Sequence, residues 1–289
     1  MKNLIVNIFK TLFFFDFALV VVYYLPTIKN ANPALQMLIN EGLVMAVLAV
    51  FTFVFLRFVE KRKLKLNSEK FKFKNFLLAI VSGMALPVIT VCLIKLLKGF
   101  DYIGFNKVSH LYYWIIALLL NAIAGELFFR GYLFSLYKKY YGFLTATVVT
   151  TLLYLSANTE LFKTSKILAA NIILFNILLC LLREFTGNLA VSVIARFIYL
   201  ALSTFMLGSL NLRTEYPVLI NAVFNGKALI TGGEKGIENS LIMLCLTTII
   251  TLFLLHKKYN LIKKIKFAVN YTKNKFKILK LKFKRENVM

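Results

Sequence analysis

Long apolar runs separated by short polar segments dominate this chain. Eight of these runs approach the roughly 20 residues that a helix needs to cross the hydrocarbon core of a bilayer. They cover residues 4–25, 36–58, 76–97, 111–134, 142–160, 165–183, 187–207 and 239–256. The pattern predicts an all-α fold, a polytopic bundle of about eight transmembrane helices over residues 1–256, followed by a basic cytoplasmic tail at residues 257–289.

The composition supports the same class of protein. Sixty per cent of the residues are apolar, 17% are charged, and the mean hydropathy is +0.75. Ordinary soluble domains are nearer half apolar, and about a quarter of their residues are charged. The first run contains Lys10 and Asp16, and no small-residue cleavage signature follows it. We therefore expect a retained first span rather than a cleaved signal peptide.

Basic residues indicate how the helices are oriented. Residues 57–74 contain eight lysines and arginines against two glutamates, and residues 257–289 contain twelve against one glutamate. The positive-inside rule places both segments in the cytoplasm. An even number of spans then puts both termini there, and the lysine-rich, arginine-poor composition suggests a bacterial cytoplasmic membrane.

The same two basic segments supply most of the net charge of +24. In the tail, lysines are interspersed with isoleucine, leucine and phenylalanine. Amphipathic basic segments of this kind lie along anionic lipid, where each basic residue near the surface contributes about 1 kcal/mol. We expect anionic membrane lipids as the partner of residues 57–74 and 257–289, and no nucleic acid. The alternatives are a docked protein partner, or a loose tail that only retains the topology.

Cysteine and histidine are too sparse to predict a metal site or a disulfide framework. Cys92, Cys180 and Cys245 all lie inside apolar runs without CxxC spacing, which is typical of small buried or lipid-facing residues. The two histidines, His110 and His256, fall on opposite sides of the membrane in the predicted topology. We therefore expect no metal and no cofactor.

The most informative charged residues lie inside the fourth apolar run. Glu126 and Arg130 are one helical turn apart, and Gly125 precedes the glutamate. A charged side chain costs free energy at membrane depth, so an intramembrane pair of charges is a functional-site hypothesis by default.

Residues 121–133 read Asn-Ala-Ile-Ala-Gly-Glu-Leu-Phe-Phe-Arg-Gly-Tyr-Leu. They resemble the first motif of the CPBP family, which comprises CAAX prenyl proteases and bacteriocin-processing enzymes and is also called Abi. That motif is a Glu-Glu pair, three residues, then arginine, usually followed by glycine. Residues 148–158 and 186–200 resemble the second and third motifs by position and flanking residues. The resemblance covers roughly residues 115–250 and implies a CAAX-protease-like core at 111–256, with the fold of an intramembrane endopeptidase in which glutamate and histidine activate water.

The sequence departs from the family at the residues that carry the chemistry. Gly125 stands where the family has its first glutamate, the expected base. Asn158 and Arg196 stand where the second and third motifs have histidines. Asparagine cannot act as a base near neutral pH, and arginine remains protonated. The resemblance therefore implies that Glu126, Arg130, Asn158 and Arg196 occupy the family's site positions in a degenerate, inactive form.

Three interpretations of Glu126 remain open: an ion pair with Arg130 on the same helix, an ion pair with Arg196, or a free catalytic carboxylate. A rise of 1.5 Å per residue places Glu126, Tyr154 and Arg196 at similar depths. Few other acids lie at that depth, so we expect Arg196 to bond Glu126, directly or through Asn158 or water. This contact would turn the family's open site into a charge-neutral cluster.

These observations favour a non-catalytic member of the family that binds a membrane-protein or peptide partner, in the manner of an immunity, chaperone or assembly factor. The alternative is an active intramembrane endopeptidase with a diverged site built from Glu126, Arg130 and Asn158. A transporter or exporter accessory subunit is the third hypothesis, and no motif in the sequence supports it.

Overall fold

The computed structural model describes residues 2–61, 64, 67, 69–159, 165–208 and 216–259. The helices are α1 (Lys2–Tyr23), α2 (Pro33–Val54), α3 (Phe73–Leu96), α4 (Leu111–Glu126), α5 (Phe134–Ala157), α6 (Lys166–Thr186), α7 (Leu189–Leu200), α8 (Ala228–Thr231) and α9 (Leu241–Tyr259). Three π-helical segments continue α2, α4 and α7: Phe55–Val59, Leu127–Leu133 and Ala201–Met206. Two strands, β1 (Phe100–Phe105) and β2 (Ile220–Phe224), and two short 3-10 helices, Gly233–Lys235 and Ile237–Asn239, complete the described elements.

Seven helical stretches among the described residues are long and apolar enough to cross a membrane. The longest, Leu111–Ala157, has 47 residues and contains both the fourth and the fifth predicted spans. It is interrupted at Gly142, whose φ of 83° and ψ of 176° are not helical. A positive φ is readily adopted only by glycine, so Gly142 marks the end of one span and the start of the next. The predicted polytopic all-α bundle is confirmed.

The chain divides into two compact units, Met1–Thr248 and Ile249–Met289. Of the second unit the structure describes residues 249–259, which form the C-terminal part of α9. The remainder of the basic tail predicted at 257–289 lies outside the described residues.

A tight turn between α6 and α7 aligns these two helices side by side. α6 ends at Thr186 and is capped by Gly187, which has a φ of 62°, and the side chain of Asn188 caps the start of α7. The segment that precedes α3 forms hydrogen bonds to this turn. Asn188 Nδ2 donates to the carbonyl oxygen of Glu69 at 3.1 Å, and the backbone N–H of Leu189 donates to Asn67 Oδ1 at 2.8 Å. These bonds determine where α7 begins.

α7 lies between α3, α4 and α6 and contacts all three. Gly83 permits the close approach of α3, because a Cβ at this position would lie 2.6 Å from the carbonyl oxygen of Ala195 and 2.9 Å from Ile198 Cβ. The packing of α3 on this face of α7 leaves the neighbouring residue, Arg196, directed towards α4.

A short two-stranded sheet was not predicted from the sequence. β1 and β2 pair antiparallel, with Phe100 opposite Phe224 and Phe105 opposite Ile220. After β2 the chain folds back against α6, where Asn171 Nδ2 donates to the carbonyl oxygen of Glu238 at 2.7 Å. This segment brings the buried side chain of Glu238 into the bundle.

Candidate functional site

Glu126 and Arg130 form a buried ion pair at the junction of α4 with its π-helical continuation. Glu126 is 0% exposed and Arg130 is 1% exposed. Arg130 Nη1 donates to Glu126 Oε1 at 3.1 Å. The π-helical segment begins at Leu127, directly after the glutamate. Such segments are rare and frequently occur at functional sites, and here one contains the arginine of the first motif.

Asn176 on α6 completes the binding of Arg130. Arg130 Nη2 donates both to the backbone oxygen of Asn176, at 3.1 Å, and to its side-chain Oδ1. Asn176 Nδ2 in turn donates to the carbonyl oxygen of Ile172 at 2.9 Å. The guanidinium of Arg130 is therefore held between α4 and α6. The sequence analysis did not identify Asn176, although an amide inside an apolar run of membrane-spanning length was a signal for it.

Arg196 on α7 contacts the same carboxylate. Its Nη1 lies 3.7 Å from Glu126 Oε1, the oxygen that also accepts from Arg130. The two ion-pair interpretations of Glu126 therefore hold together rather than excluding each other. The expectation of a charge-neutral cluster was wrong. The carboxylate of Glu126 is shared by the guanidinium groups of Arg130 and Arg196, so these three side chains carry one net positive charge.

Gly125 makes room for Arg196. A Cβ at position 125 would lie 2.9 Å from Arg196 Cζ and 3.1 Å from each terminal nitrogen. The guanidinium thus packs directly on the glycine backbone, in the space where a side chain at position 125 would begin. It also lies 5.7 Å from the ring centroid of Tyr154, within the range of a cation–π contact. A glutamate at position 125 and the observed position of Arg196 are sterically incompatible.

Asn158 does not mediate the contact between Arg196 and Glu126. It lies at the C-terminal end of α5, and its Nδ2 donates to the carbonyl oxygen of Tyr154 at 2.8 Å. The direct approach of Arg196 to Glu126 does not pass through this amide. The route through Asn158, which the sequence left open, is therefore not the one that the structure adopts.

A cavity of about 20 Å³ lies beside Arg196, between α5, α6 and α7. Its lining residues are Tyr154, Ile172, Phe175, Asn176, Arg196, Tyr199 and Leu200. A cavity of roughly 10–15 Å³ holds one water. The space beside the cluster is therefore sufficient for a single small molecule or ion and too small for a peptide.

His110 and Glu41 do not extend the site. His110 lies 16 residues before Glu126 at the start of α4, about 24 Å away at 1.5 Å per residue. Among the described residues, no group of three or more histidine, cysteine, aspartate or glutamate side chains has the arrangement of a metal site. Glu41, also fully buried, accepts instead from Asn121 Nδ2 at 3.2 Å.

Residues 107–202 match a family model described as Type II CAAX prenyl endopeptidase Rce1-like. The match covers about a third of the chain, from just before α4 to the start of the π-helical segment that continues α7, and includes Glu126, Arg130, Asn158 and Arg196. Comparison with curated proteins and with solved structures gives no match. The resemblance to the CPBP family is thus confirmed for this region, and the chain is an integral membrane protein whose residues 107–202 form a CAAX-protease-like core.

Proposed function

We propose that this protein is a non-catalytic member of the CPBP kind that binds a membrane-protein or peptide partner. One observation carries the proposal: the guanidinium of Arg196 fills the space beside Gly125 and lies 3.7 Å from Glu126. The family's expected base and one of its histidines are thereby replaced together by a single ion-paired side chain.

The contacts of Glu126 support a structural role for this carboxylate. A general base must take a proton from a water that lies within hydrogen-bond reach. Here Oε1 of Glu126 accepts from Arg130 and faces Arg196. Arg196 cannot accept a proton in place of histidine. Removal of several members of a catalytic unit leaves little beyond binding, so we expect the bundle to retain recognition without hydrolysis.

The cytoplasmic basic segment supports association with anionic lipid as part of the same function. In the described part of residues 57–74, Lys70, Lys72 and Lys74 are exposed. Exposed Phe71 and Phe73 lie between them along the chain, at 46% and 73% exposure. Cations beside aromatic side chains are typical of a membrane interface. Lipid contact at this segment would hold the cytoplasmic end of α3 at the membrane surface.

A cleavage assay tests the non-catalytic proposal. Purified protein in lipid nanodiscs is incubated with a panel of membrane peptides and lipoproteins, and products are identified by mass spectrometry. We expect no product above the protein-free background, while an active family member cleaves in the same assay. Glu126→Gln is the test variant, and Glu69→Gln, which alters an exposed carboxylate, is the matched control.

The outcome separates the two leading functions. Cleavage that Glu126→Gln abolishes and Glu69→Gln retains would refute the proposal and support a diverged endopeptidase that uses Glu126, Arg130 and Asn158. Cleavage that survives in both variants identifies a contaminating protease, and then the protein itself has no turnover.

A further inference from the structure

The cavity beside Arg196 has the lining of an anion site. Its polar lining residues are Arg196, Tyr154, Tyr199 and Asn176. None of the described residues that line it is acidic. Glu238, which interacts with the side chain of Tyr199, is not among the lining residues. A cation with phenols and no carboxylate on the wall favours a negatively charged occupant.

The charge of Arg196 is only partly neutralised by the protein. Its contact with Glu126 is 3.7 Å, longer than the 3.1 Å bond that the same oxygen accepts from Arg130. Arg196 Nε is buried and has no hydrogen-bond partner among the described residues. Arg183, a third buried guanidinium, is within electrostatic reach of both Glu126 and Glu184. Glu126 therefore faces the guanidinium groups of both Arg130 and Arg196 and balances the charge of only one of them.

Burial makes this imbalance costly. Arg196 is 8% exposed and lies in a helix long and apolar enough to span the membrane. A buried charge is stable when it is paired and when its remaining N–H groups are bonded. Glu126 pairs with Arg196 only at 3.7 Å. No described residue accepts a hydrogen bond from its Nε–H. An anion in the adjoining cavity would satisfy both.

We propose that this cavity binds one small monovalent anion, of the size of a halide or formate, against the guanidinium of Arg196. The Nε–H of Arg196 and the hydroxyl of Tyr154 donate to the anion, while Ile172, Phe175 and Leu200 form the apolar wall. The volume of about 20 Å³ admits one such ion and excludes larger organic anions. The anion balances the net positive charge that Glu126 leaves on the cluster.

An ion series on the wild-type protein is the first test. Thermal unfolding is followed through Trp114, the single tryptophan of the chain, in bromide, formate or gluconate at equal ionic strength and pH. We expect Tm to rise by about 2–4 °C for each tenfold increase in bromide above its Kd, and gluconate to have no such effect. Stabilisation by both bromide and formate defines a site for any small monovalent anion, whereas bromide alone defines a halide site. Equal Tm in bromide and gluconate at all concentrations would overturn the proposal.

Two further measurements locate the ion. Arg196→Gln should remove the bromide response, while Arg57→Gln, which neutralises an exposed arginine, should retain it. An Arg196→Gln protein that folds and responds like wild type would contradict the assignment. If that variant does not fold, crystals of the wild type grown in bromide decide: an anomalous peak within about 4 Å of the Arg196 guanidinium supports the site, and bromide peaks only elsewhere refute it.

The anion site rests on Arg196 and its cavity and does not depend on the absence of hydrolysis, so the ion series and the cleavage assay fail independently.

Discussion

Gly125→Ala is expected to destabilise this protein, although alanine is normally the better helix residue. A Cβ at position 125 lies 2.9 Å from Arg196 Cζ, whereas ordinary van der Waals contact begins at 3.4 Å. The guanidinium must therefore move away by about 0.5 Å. Because Arg196 is buried and paired with Glu126, this movement lengthens the 3.7 Å ion pair.

The magnitude follows from three contributions. With an effective dielectric constant of about 20, lengthening the Arg196–Glu126 pair from 3.7 Å by about 0.5 Å costs roughly 0.5 kcal/mol. Insertion of a methyl group into a packed interior costs about 1–3 kcal/mol. The higher helix propensity of alanine than of glycine stabilises the helix by about 1 kcal/mol. The net expectation is a loss of roughly 1–2 kcal/mol in the free energy of unfolding.

The sign of the effect should reverse when Arg196 is absent. In an Arg196→Ala background the atoms that Cβ would meet are gone, so Gly125→Ala should stabilise by about 0.5–1 kcal/mol through helix propensity alone. The double-mutant cycle then yields a coupling energy of about 2 kcal/mol between the two positions. Gly42→Ala is the matched control, because its Cβ would meet only Leu120 Cδ1 at 3.8 Å.

The assay is equilibrium unfolding in mixed micelles with increasing denaturing detergent, followed by the fluorescence of Trp114. Gly42→Ala should have the same effect in both backgrounds. If Gly125→Ala stabilises the wild-type protein, or changes stability equally with and without Arg196, then the guanidinium does not pack against Gly125.

Further outcomes are expected from the same contacts and from the charge pattern. Glu126→Ala should lower the free energy of unfolding by roughly 3–5 kcal/mol, because it leaves the buried guanidinium groups of Arg130 and Arg196 without their carboxylate. Arg196→Ala should cost less, because Glu126 keeps its bond to Arg130, and the variant that carries both substitutions should recover part of the loss caused by Glu126→Ala; strictly additive losses in the same unfolding assay would exclude a direct pair. Asn176→Leu should cost about 1.5–3 kcal/mol in that assay, since it removes a side-chain acceptor from a buried guanidinium; an unchanged unfolding midpoint would contradict this role. Lys65→Cys and Lys275→Cys, in a background without the native cysteines, should remain unlabelled by impermeant maleimide in intact cells, because the positive-inside rule places both in the cytoplasm; labelling from outside would show the topology to be wrong.

The sequence by itself determined the class of fold and the first part of the site. In a bilayer, backbone groups must bond within their own segment, so an apolar run of sufficient length is enough to predict a helix. The predicted runs accordingly lie in the helices observed, including the division of the 47-residue stretch at Gly142. The ion pair of Glu126 with Arg130 was equally accessible, since residues four apart share one face of a helix.

Only the tertiary structure decided which side chains from other helices complete the site. Gly83 allows α3 to pack closely on one face of α7, and this packing directs Arg196 towards α4. Gly125 on α4 then leaves room for the guanidinium beside Glu126. Asn176 on α6 accepts hydrogen bonds from Arg130, whereas the side chain of Asn158 bonds to its own helix. Contacts between helices depend on their rotation and separation, and small residues and turns determine both. Hydropathy records how much of a helix is apolar and not which neighbour each face meets, so the excess positive charge of the cluster appears only once the helices are packed.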